Sequence, residues 1–311
     1  MSDLPEIPLI PTPPPHYKSG FVGIVGRPNV GKSTLMNQLV GQKVAITSPI
    51  AQTTRNRLRG ILTTPEAQII FVDTPGIHKP HHQLGKVLVK NARIAIHSVD
   101  AIVLVVDSTT VAGGGDRYIA DLLQDVKTPV IVGLNKLDLQ PTQSAVEIDR
   151  TYANLGSSQW QQVKFSALTG EGTATLQSAI VDCLELGPYY YPPDLVTDQP
   201  ERFIMGELIR EQILLHTRQE VPHSVAIEID KVEESPDITR IFASIHVERG
   251  SQKSIILGKG GSMVKAIGSA ARKQMQKLVS GKIYLELFVK IQPKWRQSRT
   301  RLAQFGYRVE E

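Results

Sequence analysis

The sequence predicts an α/β domain with a mostly parallel sheet, followed by a smaller α+β domain. In the first 187 residues, short apolar runs alternate with helical stretches, which is typical of parallel strands covered by helices on both faces. A glycine-rich string follows the first apolar run and opens a helix. After residue 200 the runs alternate between apolar and polar residues, as half-exposed strands do, around a second glycine-rich string.

Five apolar runs predict the strands of the first sheet: "FVGIV", "QIIFVD", "AIVLVVD", "PVIVGLN" and "VKFSA". The expected helices are Lys32 to Leu39, His82 to His97, Arg117 to Val126, Ser144 to Leu155 and Thr173 to Leu186. The stretch "LRGILTTPEAQIIFVD" has a turn-like "TTPEA" between two apolar runs. It therefore predicts a hairpin that adds one antiparallel edge strand.

The chain has 311 residues, about right for two domains. We expect a flexible proline-rich leader over residues 1–19, a first domain over 20–187, a linker over 188–200 and a second domain over 201–311 that ends in a basic helix. A docking peptide for a proline-reading partner is the alternative for the leader. No apolar run approaches the roughly 20 residues that cross a bilayer, and the N-terminus lacks a signal core, so we expect a cytoplasmic protein.

Positive charge is concentrated at the C-terminal end. Residues 249–311 contain 14 Lys or Arg and 3 Asp or Glu, whereas residues 1–248 contain 21 basic and 27 acidic residues. A basic segment of this kind suits a polyanion or an anionic membrane surface, or serves solvation alone. Charge by itself does not choose among these.

The string "GRPNVGKS", Gly26 to Ser33, matches the phosphate-binding pattern G-x-x-x-x-G-K-S between a predicted strand and a helix. Glycines let consecutive backbone N–H groups point at phosphate oxygens, and Lys32 and Ser33 suit the β and γ phosphates and Mg²⁺. The predicted nucleotide contacts in this segment are Gly26, Arg27, Pro28, Asn29, Val30, Gly31, Lys32, Ser33 and Thr34. The pattern alone leaves kinases, ATPases and GTPases open.

Two further strings favour guanine. "NKLD", Asn135 to Asp138, ends a predicted strand, and a carboxylate at Asp138 can accept from both the N1–H and the amine of guanine, whereas adenine has no such donor pair. Asn135 is expected to brace the loop, and the stem of Lys136 to cover the base. "SAL" ends the next strand, where we expect the Ala167 N–H to donate to guanine O6, and the predicted contacts there are Ser166, Ala167 and Leu168.

With these motifs in order, residues 20 to 186 resemble the Ras-like GTPase superfamily. The resemblance implies that Asp73 of "DTPG" holds Mg²⁺ through water and that the Gly76 N–H contacts the γ-phosphate. Thr53 and Thr54 are the candidates for the switch threonine, and we favour Thr54. The implied nucleotide contacts in "DTPG" are Asp73, Thr74, Pro75 and Gly76; the implied metal ligands are Ser33, Thr54 and Asp73; the implied catalytic set is Lys32, Thr54 and Gly76.

Ile77 stands where Ras-like enzymes carry a glutamine that orients water, so we expect hydrolysis on the scale of turnovers per hour to per minute. Resemblance to bacterial GTPases with a hydrophobic residue here suggests that Asn29 helps to hold K⁺ beside the phosphates. Two nearby strings each allow two interpretations. Arg55, Arg57 and Arg59 are an arginine-finger candidate or a solvated strand face, the latter favoured, and "HKPHH" is interpreted as a loop in preference to a metal cluster.

The second domain is predicted as helix, strand, strand, helix, helix, strand, with Gly258-Lys259-Gly260-Gly261 between its two central helices. This G-x-x-G with apolar flanks and a basic helix resembles a type II KH domain, in which the loop admits a nucleic-acid backbone and a groove takes about four bases. A purely structural corner is the alternative. The implied RNA-binding residues are Ile255, Ile256, Gly258, Lys259, Gly260, Gly261, Met263 and Lys265, while core packing is favoured over base stacking for Trp295.

One GTPase unit followed by one KH unit resembles the Era family of bacterial ribosome-assembly GTPases over nearly the whole chain except the leader. The resemblance implies a GTP/GDP switch with Mg²⁺ that binds the 3′ end of small-subunit ribosomal RNA and the 30S subunit, as a monomer. Two alternatives remain open. One is a signalling GTPase associated peripherally with the inner membrane through its basic tail, and the other is an RNA chaperone with a vestigial nucleotide site.

Overall fold

The computed structural model describes residues 10–48, 58–73, 90, 94–217, 221–222, 224–278 and 281–307. Contacts divide the chain into two compact units. The first contains the described residues of 1–44, 57–74 and 93–198, and the second contains those of 199–311 with residues 45–48 and 90. Among the described residues, no helix combines the length and the apolar character that a membrane crossing needs.

The first unit is built on a six-stranded sheet in the order β2-β3-β1-β4-β5-β6. Its strands are β1 (Lys18–Val25), β2 (Leu58–Thr63), β3 (Ala67–Asp73), β4 (Ala101–Asp107), β5 (Val130–Asn135) and β6 (Gln161–Lys164). Neighbouring strands are parallel except β2, which pairs antiparallel with β3. The predicted parallel sheet with one antiparallel edge strand is confirmed.

Four helices of the first unit have described bounds: α1 (Lys32–Val40), α2 (Gly114–Leu123), α3 (Ala145–Ala153) and α4 (Thr173–Cys183). The second predicted helix, His82 to His97, lies mostly outside the described residues, and the residues of it that are described, Lys90 and 94–97, are helical. Helix α2 begins three residues before the prediction because Asp116 caps it by accepting from the Gly113 N–H at 2.9 Å.

The central strands are buried along their full length, as the continuous apolar runs predicted. Every residue of β3 and β5 is buried, and so are the first six of β4. Because parallel strands here have helices on both faces, the functional groups of the unit are confined to the strand ends.

The end of the predicted leader and the start of the predicted linker both pack against the sheet of the first unit. Strand β1 begins at Lys18, inside the predicted leader, and Tyr17 is 3% exposed with its hydroxyl donating to the Thr64 carbonyl at 3.2 Å. The backbone N–H groups of Tyr190 and Tyr191 donate to the side chain of Gln68 at 2.7 and 3.0 Å. The linker therefore starts docked on the sheet.

Farther along, the linker runs beside the edge strand β2. The Ile61 N–H donates to the Val196 carbonyl at 2.9 Å, and the Thr197 hydroxyl donates to the Arg59 carbonyl at 2.7 Å. Arg59 Nη1 lies 2.6 Å from Asp198 Oδ2. These contacts cover an edge whose backbone groups would otherwise be open to pairing.

The second unit has the predicted order of helix, strand, strand, helix, helix, strand. Its elements are α5 (Glu201–His216), β7 (Ala226–Glu234), β8 (Ile238–Val247), α6 (Gly250–Leu257), α7 (Ser262–Met275), β9 (Lys282–Ile291) and the short α8 (Arg299–Gln304). Strand β8 is central, antiparallel to β7 and parallel to β9. The predicted chain order is confirmed, and the strand pairing is added by the structure.

Two apolar clusters stabilise the second unit. The larger joins inward residues of α5, α6, α7 and the sheet, including Ile209, Ile256 and Ile267, all fully buried. The smaller surrounds Trp295, which is 0% exposed and donates from Nε1 to the Ser224 carbonyl at 2.9 Å. The prediction that Trp295 packs in a core is confirmed, since a buried indole usually finds a partner for its N–H.

Candidate functional site: a phosphate loop and an open glycine loop

The phosphate loop between β1 and α1 has the backbone that its glycines allow. Gly26, Asn29 and Gly31 have φ of 157°, 64° and 97°. A Cβ on Gly26 would lie 2.3 Å from the Val105 carbonyl oxygen, so this position has no room for a side chain. The loop therefore curls tightly onto the end of β4 and presents its backbone at the start of α1.

Lys32, the first residue of α1, points back into this loop. Its Nζ donates to the carbonyls of Gly26 at 3.1 Å and Arg27 at 2.8 Å, and the residue is 6% exposed. Burial lowers the pKa of Lys32 to about 8, against the opposing charge of Asp73. An anion entering the loop would offer this ammonium a charged partner in place of two carbonyls.

Ser33 and Asp73 meet as the Mg²⁺ prediction requires. The Ser33 hydroxyl donates to Asp73 Oδ2 at 2.8 Å, and Asp73 is 0% exposed at the end of β3. A hydroxyl and a carboxylate oxygen are hard ligands of the kind that Mg²⁺ prefers, with waters and phosphates completing its octahedron. The two residues fit this cation, so the structure brings together two of the three implied metal ligands.

Asn135 braces the site as predicted, at the end of β5. Its Nδ2 donates to the Val30 carbonyl at 2.7 Å, and its Oδ1 accepts from the Ala167 N–H at 2.8 Å. A Cβ on Gly31 would lie 2.2 Å from Nδ2, which explains the glycine there. The Ala167 N–H, which is predicted to donate to guanine O6, donates to Asn135 in this structure.

The remaining residues predicted to contact the base follow the ends of β5 and β6. Asp138 is exposed in a short 3₁₀ turn, Leu137–Leu139, and Lys136 has a left-handed φ of 68° with its ammonium paired to Asp107. A cavity of about 440 Å³ lies beside the "SAL" loop. It is lined by Thr34, Asn37, Gln38, Gly41, Gln42, Lys43, Ala167 and Leu168.

Five of these lining residues were not predicted. Asn37, Gln38, Gly41, Gln42 and Lys43 come from the second half of α1 and the residues after it. A polar side chain one helical turn past a phosphate loop is only weak evidence for a place in the nucleotide site, since most such residues face solvent. The Val44 N–H donating to Asn37 Oδ1 at 3.0 Å shows how this segment is held.

Several predicted residues lie outside the described part of the chain. They are Thr53, Thr54, Arg55, Arg57, Thr74, Pro75, Gly76, Ile77 and the "HKPHH" stretch from His78 to His82. Arg59 is described, and it is engaged with Asp198 and with the Tyr191 hydroxyl at 3.2 Å. The structure therefore favours a structural role for Arg59 over that of an arginine finger.

In the second unit, the G-x-x-G string forms an open turn between α6 and α7. Gly258, Gly260 and Gly261 have φ of 70°, 59° and 79°. A Cβ on Gly258 would lie 2.8 Å from the Met263 backbone nitrogen, whereas one on Gly260 or Gly261 would meet no described atom within 4 Å. The last two glycines thus face open space with a backbone that L side chains rarely adopt.

The flanks of this turn divide between surface and core. Lys259 and Lys265 are exposed, Met263 is half-buried, and Ile255 is 46% exposed. Ile256, one of the implied RNA contacts, is 0% exposed within the larger apolar cluster. This corrects the predicted set: Ile256 supports helix α6 from inside, and seven residues remain as candidates for contact.

The fold and the two loops together define a class: a P-loop GTPase domain followed by a type II KH domain. Models of known families agree, because one described as a 50S ribosome-binding GTPase matches residues 21–136 and one described as a KH domain matches residues 220–296. The GTPase Era of Nostoc sp. (strain PCC 7120) is 73% identical over 97% of this chain and 93% of its own. The GTPase Era of Leuconostoc citreum is 48% identical over 94% of this chain and 98% of its own.

Solved structures give the same result in three dimensions. A point variant of Aquifex aeolicus Era bound to GDP and AlF₄⁻ superposes with a TM-score of 0.90 at 38% identity, covering 93% of this chain and 99% of its own. Era in complex with MgGDPNP and nucleotides 1506–1542 of 16S ribosomal RNA matches with a TM-score of 0.90 and 38% identity, over 94% and 99%. The chain belongs to the GTPase Era family, and it is a GTPase.

Proposed function

We propose that this GTPase is a slow guanine-nucleotide switch that binds the 3′ end region of small-subunit ribosomal RNA and acts in assembly of the 30S subunit. One observation carries the proposal: a phosphate loop with a paired Ser33 and Asp73, and a glycine turn open at Gly260 and Gly261, occur in one chain. Such a role places the protein in the cytoplasm. The relative that was solved with 16S ribosomal RNA favours RNA over lipid as the polyanion.

In the first unit, four described residues have a part in nucleotide binding: Lys32, Ser33, Asp73 and Asp138. Lys32 exchanges the Gly26 and Arg27 carbonyls for the β and γ phosphates, and Ser33 and Asp73 hold Mg²⁺. Bound Mg²⁺ neutralises phosphate charge and orients the oxygens. Asp138 accepts from the guanine N1–H and amine, which selects GTP and GDP over adenine nucleotides.

Hydrolysis is expected to be slow because the residue after the Gly76 position is Ile77, whose aliphatic side chain cannot orient a water. Thr54 and Gly76, the remaining implied catalytic residues, act at the γ-phosphate in this proposal. Slow hydrolysis lets the GTP-bound state persist until the RNA-bound step is complete, and hydrolysis then ends that state.

In the second unit, the open turn admits the RNA backbone. Glycine at 260 and 261 leaves no side chain between backbone and ligand, and Lys259 and Lys265 supply positive charge beside it. Exposed Ile255 and half-buried Met263 offer apolar surface to unstacked bases.

The test is RNA binding by the full chain carrying Gly260→Asp, measured with an RNA fragment from the 3′ end of small-subunit ribosomal RNA. The variant puts a carboxylate where the phosphate backbone would lie, so RNA affinity should fall at least about tenfold. GTP turnover without RNA should equal that of the wild type, since residue 260 belongs to the other unit.

Gly250→Asp is the matched control. Gly250 begins α6, is exposed, and would meet no described atom within 4 Å on gaining a Cβ. Gly250→Asp adds the same charge to the same unit at a position away from the glycine turn, so this variant should retain near wild-type RNA affinity. Equal RNA binding by Gly260→Asp and wild type would rule out the glycine turn as the RNA site.

A further inference from the structure

Two carboxylates outside the sequence motifs stand beside the nucleotide loops. Asp107 ends β4 and Asp116 lies in the first turn of α2, so the two residues flank the connection between these elements. No motif in the sequence singled out either residue. Each contacts a different loop of the predicted guanine-nucleotide site.

Asp116 holds the phosphate loop through Arg27. Arg27 Nε donates to Asp116 Oδ1 at 2.6 Å, and the Asp116 side chain is 1% exposed. A Cβ on Gly115 would lie 2.6 Å from Arg27 Cδ, so the stem of the arginine crosses the start of α2 in close contact. The Arg27 carbonyl also accepts from Lys32 Nζ. The Arg27–Asp116 ion pair therefore fixes a residue that contacts the lysine predicted to bind phosphate.

Asp107 holds the base loop, Asn135 to Asp138, through Lys136. Its Oδ2 pairs with the Lys136 ammonium, while its Oδ1 accepts from the Thr109 N–H at 3.0 Å and the Thr109 hydroxyl at 2.6 Å. Burial opposes ionisation of Asp107, but the hydrogen bonds from Lys136 and Thr109 outweigh it and lower the pKa of this carboxyl. The carboxylate is therefore ionised and oriented without a nucleotide.

A buried tyrosine, Tyr152, contacts the backbone of Asp107 and lies near the Arg27–Asp116 pair. Its hydroxyl donates to the Asp107 carbonyl at 2.9 Å, and the residue is 1% exposed. Burial raises the pKa of Tyr152 to about 12, and the charge of Asp116 adds to this shift. Two ion pairs, Arg27–Asp116 and Lys136–Asp107, thus lie beside this tyrosine, one at the phosphate loop and the other at the base loop.

We propose that Asp116 and Asp107 are positioning residues that preset the phosphate loop and the base loop, respectively, before nucleotide binds. The inference rests on the proposed nucleotide site and assigns to it two residues that act through Arg27 and Lys136. Preset loops bind more tightly because less conformational freedom is lost on association. Neither carboxylate contacts the nucleotide itself in this account.

The test compares the affinities of the full chain for GDP and IDP, which differ only in the exocyclic amine that Asp138 would accept from. Asp116→Asn should weaken both nucleotides by the same factor, about tenfold, since the phosphate loop does not sense the base. Asp107→Asn should weaken GDP more than IDP, because loss of the Lys136 anchor loosens the turn that carries Asp138. For Asp107→Asn, a merely structural role would leave the ratio of GDP to IDP affinity unchanged, and for Asp116 the discriminating readout is the double variant with Arg27→Ala.

The controls isolate the contact from the fold. Asp121→Asn makes the same change at an exposed position of α2 and should bind both nucleotides like the wild type. In Asp116→Asn the amide oxygen can still accept from the Gly113 N–H, so the helix cap is retained. Should that variant fail to fold, Arg27→Ala tests the same contact, and where both fold, the double variant should lose no more affinity than either single change.

The outcomes separate this inference from the proposed function. Wild-type protein that binds neither GDP nor IDP would sink the nucleotide site itself. Wild-type binding together with Asp116→Asn and Asp107→Asn that match Asp121→Asn would overturn the positioning roles alone. An unchanged GDP to IDP ratio in Asp107→Asn, despite weaker binding, would overturn the assignment of Asp107 to the base loop.

Discussion

Asn135 Nδ2 donates to the Val30 carbonyl oxygen across 2.7 Å, so the base loop and the phosphate loop are joined before any ligand arrives. The same side chain accepts from the Ala167 N–H at 2.8 Å and is 2% exposed. Three segments far apart in the sequence thus converge on one amide group. Each loop of the site depends on this residue for its position.

Replacing Asn135 by alanine should therefore destabilise the nucleotide-free protein as well as weaken nucleotide binding. The change leaves a buried carbonyl and a buried N–H without their partner, at a cost of about 2 to 3 kcal/mol. Urea unfolding followed in the absence of nucleotide measures this loss. An unchanged midpoint with weaker GDP binding would show that Asn135 serves the ligand only.

Lys32 should make nucleotide affinity depend on pH. Burial lowers the pKa of Lys32 to about 8 in the free protein, and bound phosphates favour the charged form, so binding takes up a proton. Between pH 7 and pH 8.5 the charged fraction falls, and the Kd for GDP should rise roughly fourfold. Titration calorimetry at both pH values gives the comparison.

Lys32→Arg is the control for that dependence. Arginine stays charged throughout this range, so its affinity, even if lower, should change little between the two pH values. The same pH dependence in both proteins would exclude Lys32 as the titrating group.

The linker should protect the edge of β2. The Ile61 N–H donates to the Val196 carbonyl, and Thr197 and Asp198 add contacts to Arg59. Changing Thr197→Val and Asp198→Asn together should loosen this segment and speed hydrogen exchange at the Ile61 amide by about tenfold. Exchange at β4 amides, in the sheet interior, serves as the reference, and an unchanged Ile61 rate would mean that the docking does not depend on these side chains.

Potassium should accelerate GTP hydrolysis relative to sodium at equal ionic strength. The side chain of Asn29 is exposed on the phosphate loop, where a monovalent cation would neutralise charge in the transition state. Asn29→Gly removes the side chain and accepts the φ of 64° without strain, so it should lose the difference between the two salts. Identical wild-type rates in potassium and sodium would contradict this role.

Much of the fold follows from the sequence because its signals are local. The buried strands β3, β4 and β5 appear as apolar runs, and the "TTPEA" turn identifies the antiparallel edge. The phosphate loop and the G-x-x-G turn depend on glycines whose positive φ is a property of single positions. Each nucleotide motif directly follows a predicted strand, and this order along the chain indicates that the loops lie together at one edge of the sheet.

What the sequence did not predict depends on partners far away along the chain. Asp116 meets Arg27 across 89 residues and Asp107 meets Lys136 across 29, so neither pair has a local signature. The linker has no apolar periodicity, yet it docks through hydrogen bonds to a sheet edge. Ile255 and Ile256 are equally apolar, and only the packing of α6 decides that one is exposed and the other buried.

If this protein is a guanine-nucleotide switch, its nucleotide state should control its affinity for RNA. The most direct test is the affinity of the wild-type chain for the 3′-end RNA, measured with a non-hydrolysable GTP analogue and with GDP. RNA should bind at least about fivefold more tightly with the analogue than with GDP, and by linkage RNA should tighten the analogue relative to GDP by the same factor. Equal RNA affinities in the two nucleotide states would contradict this prediction.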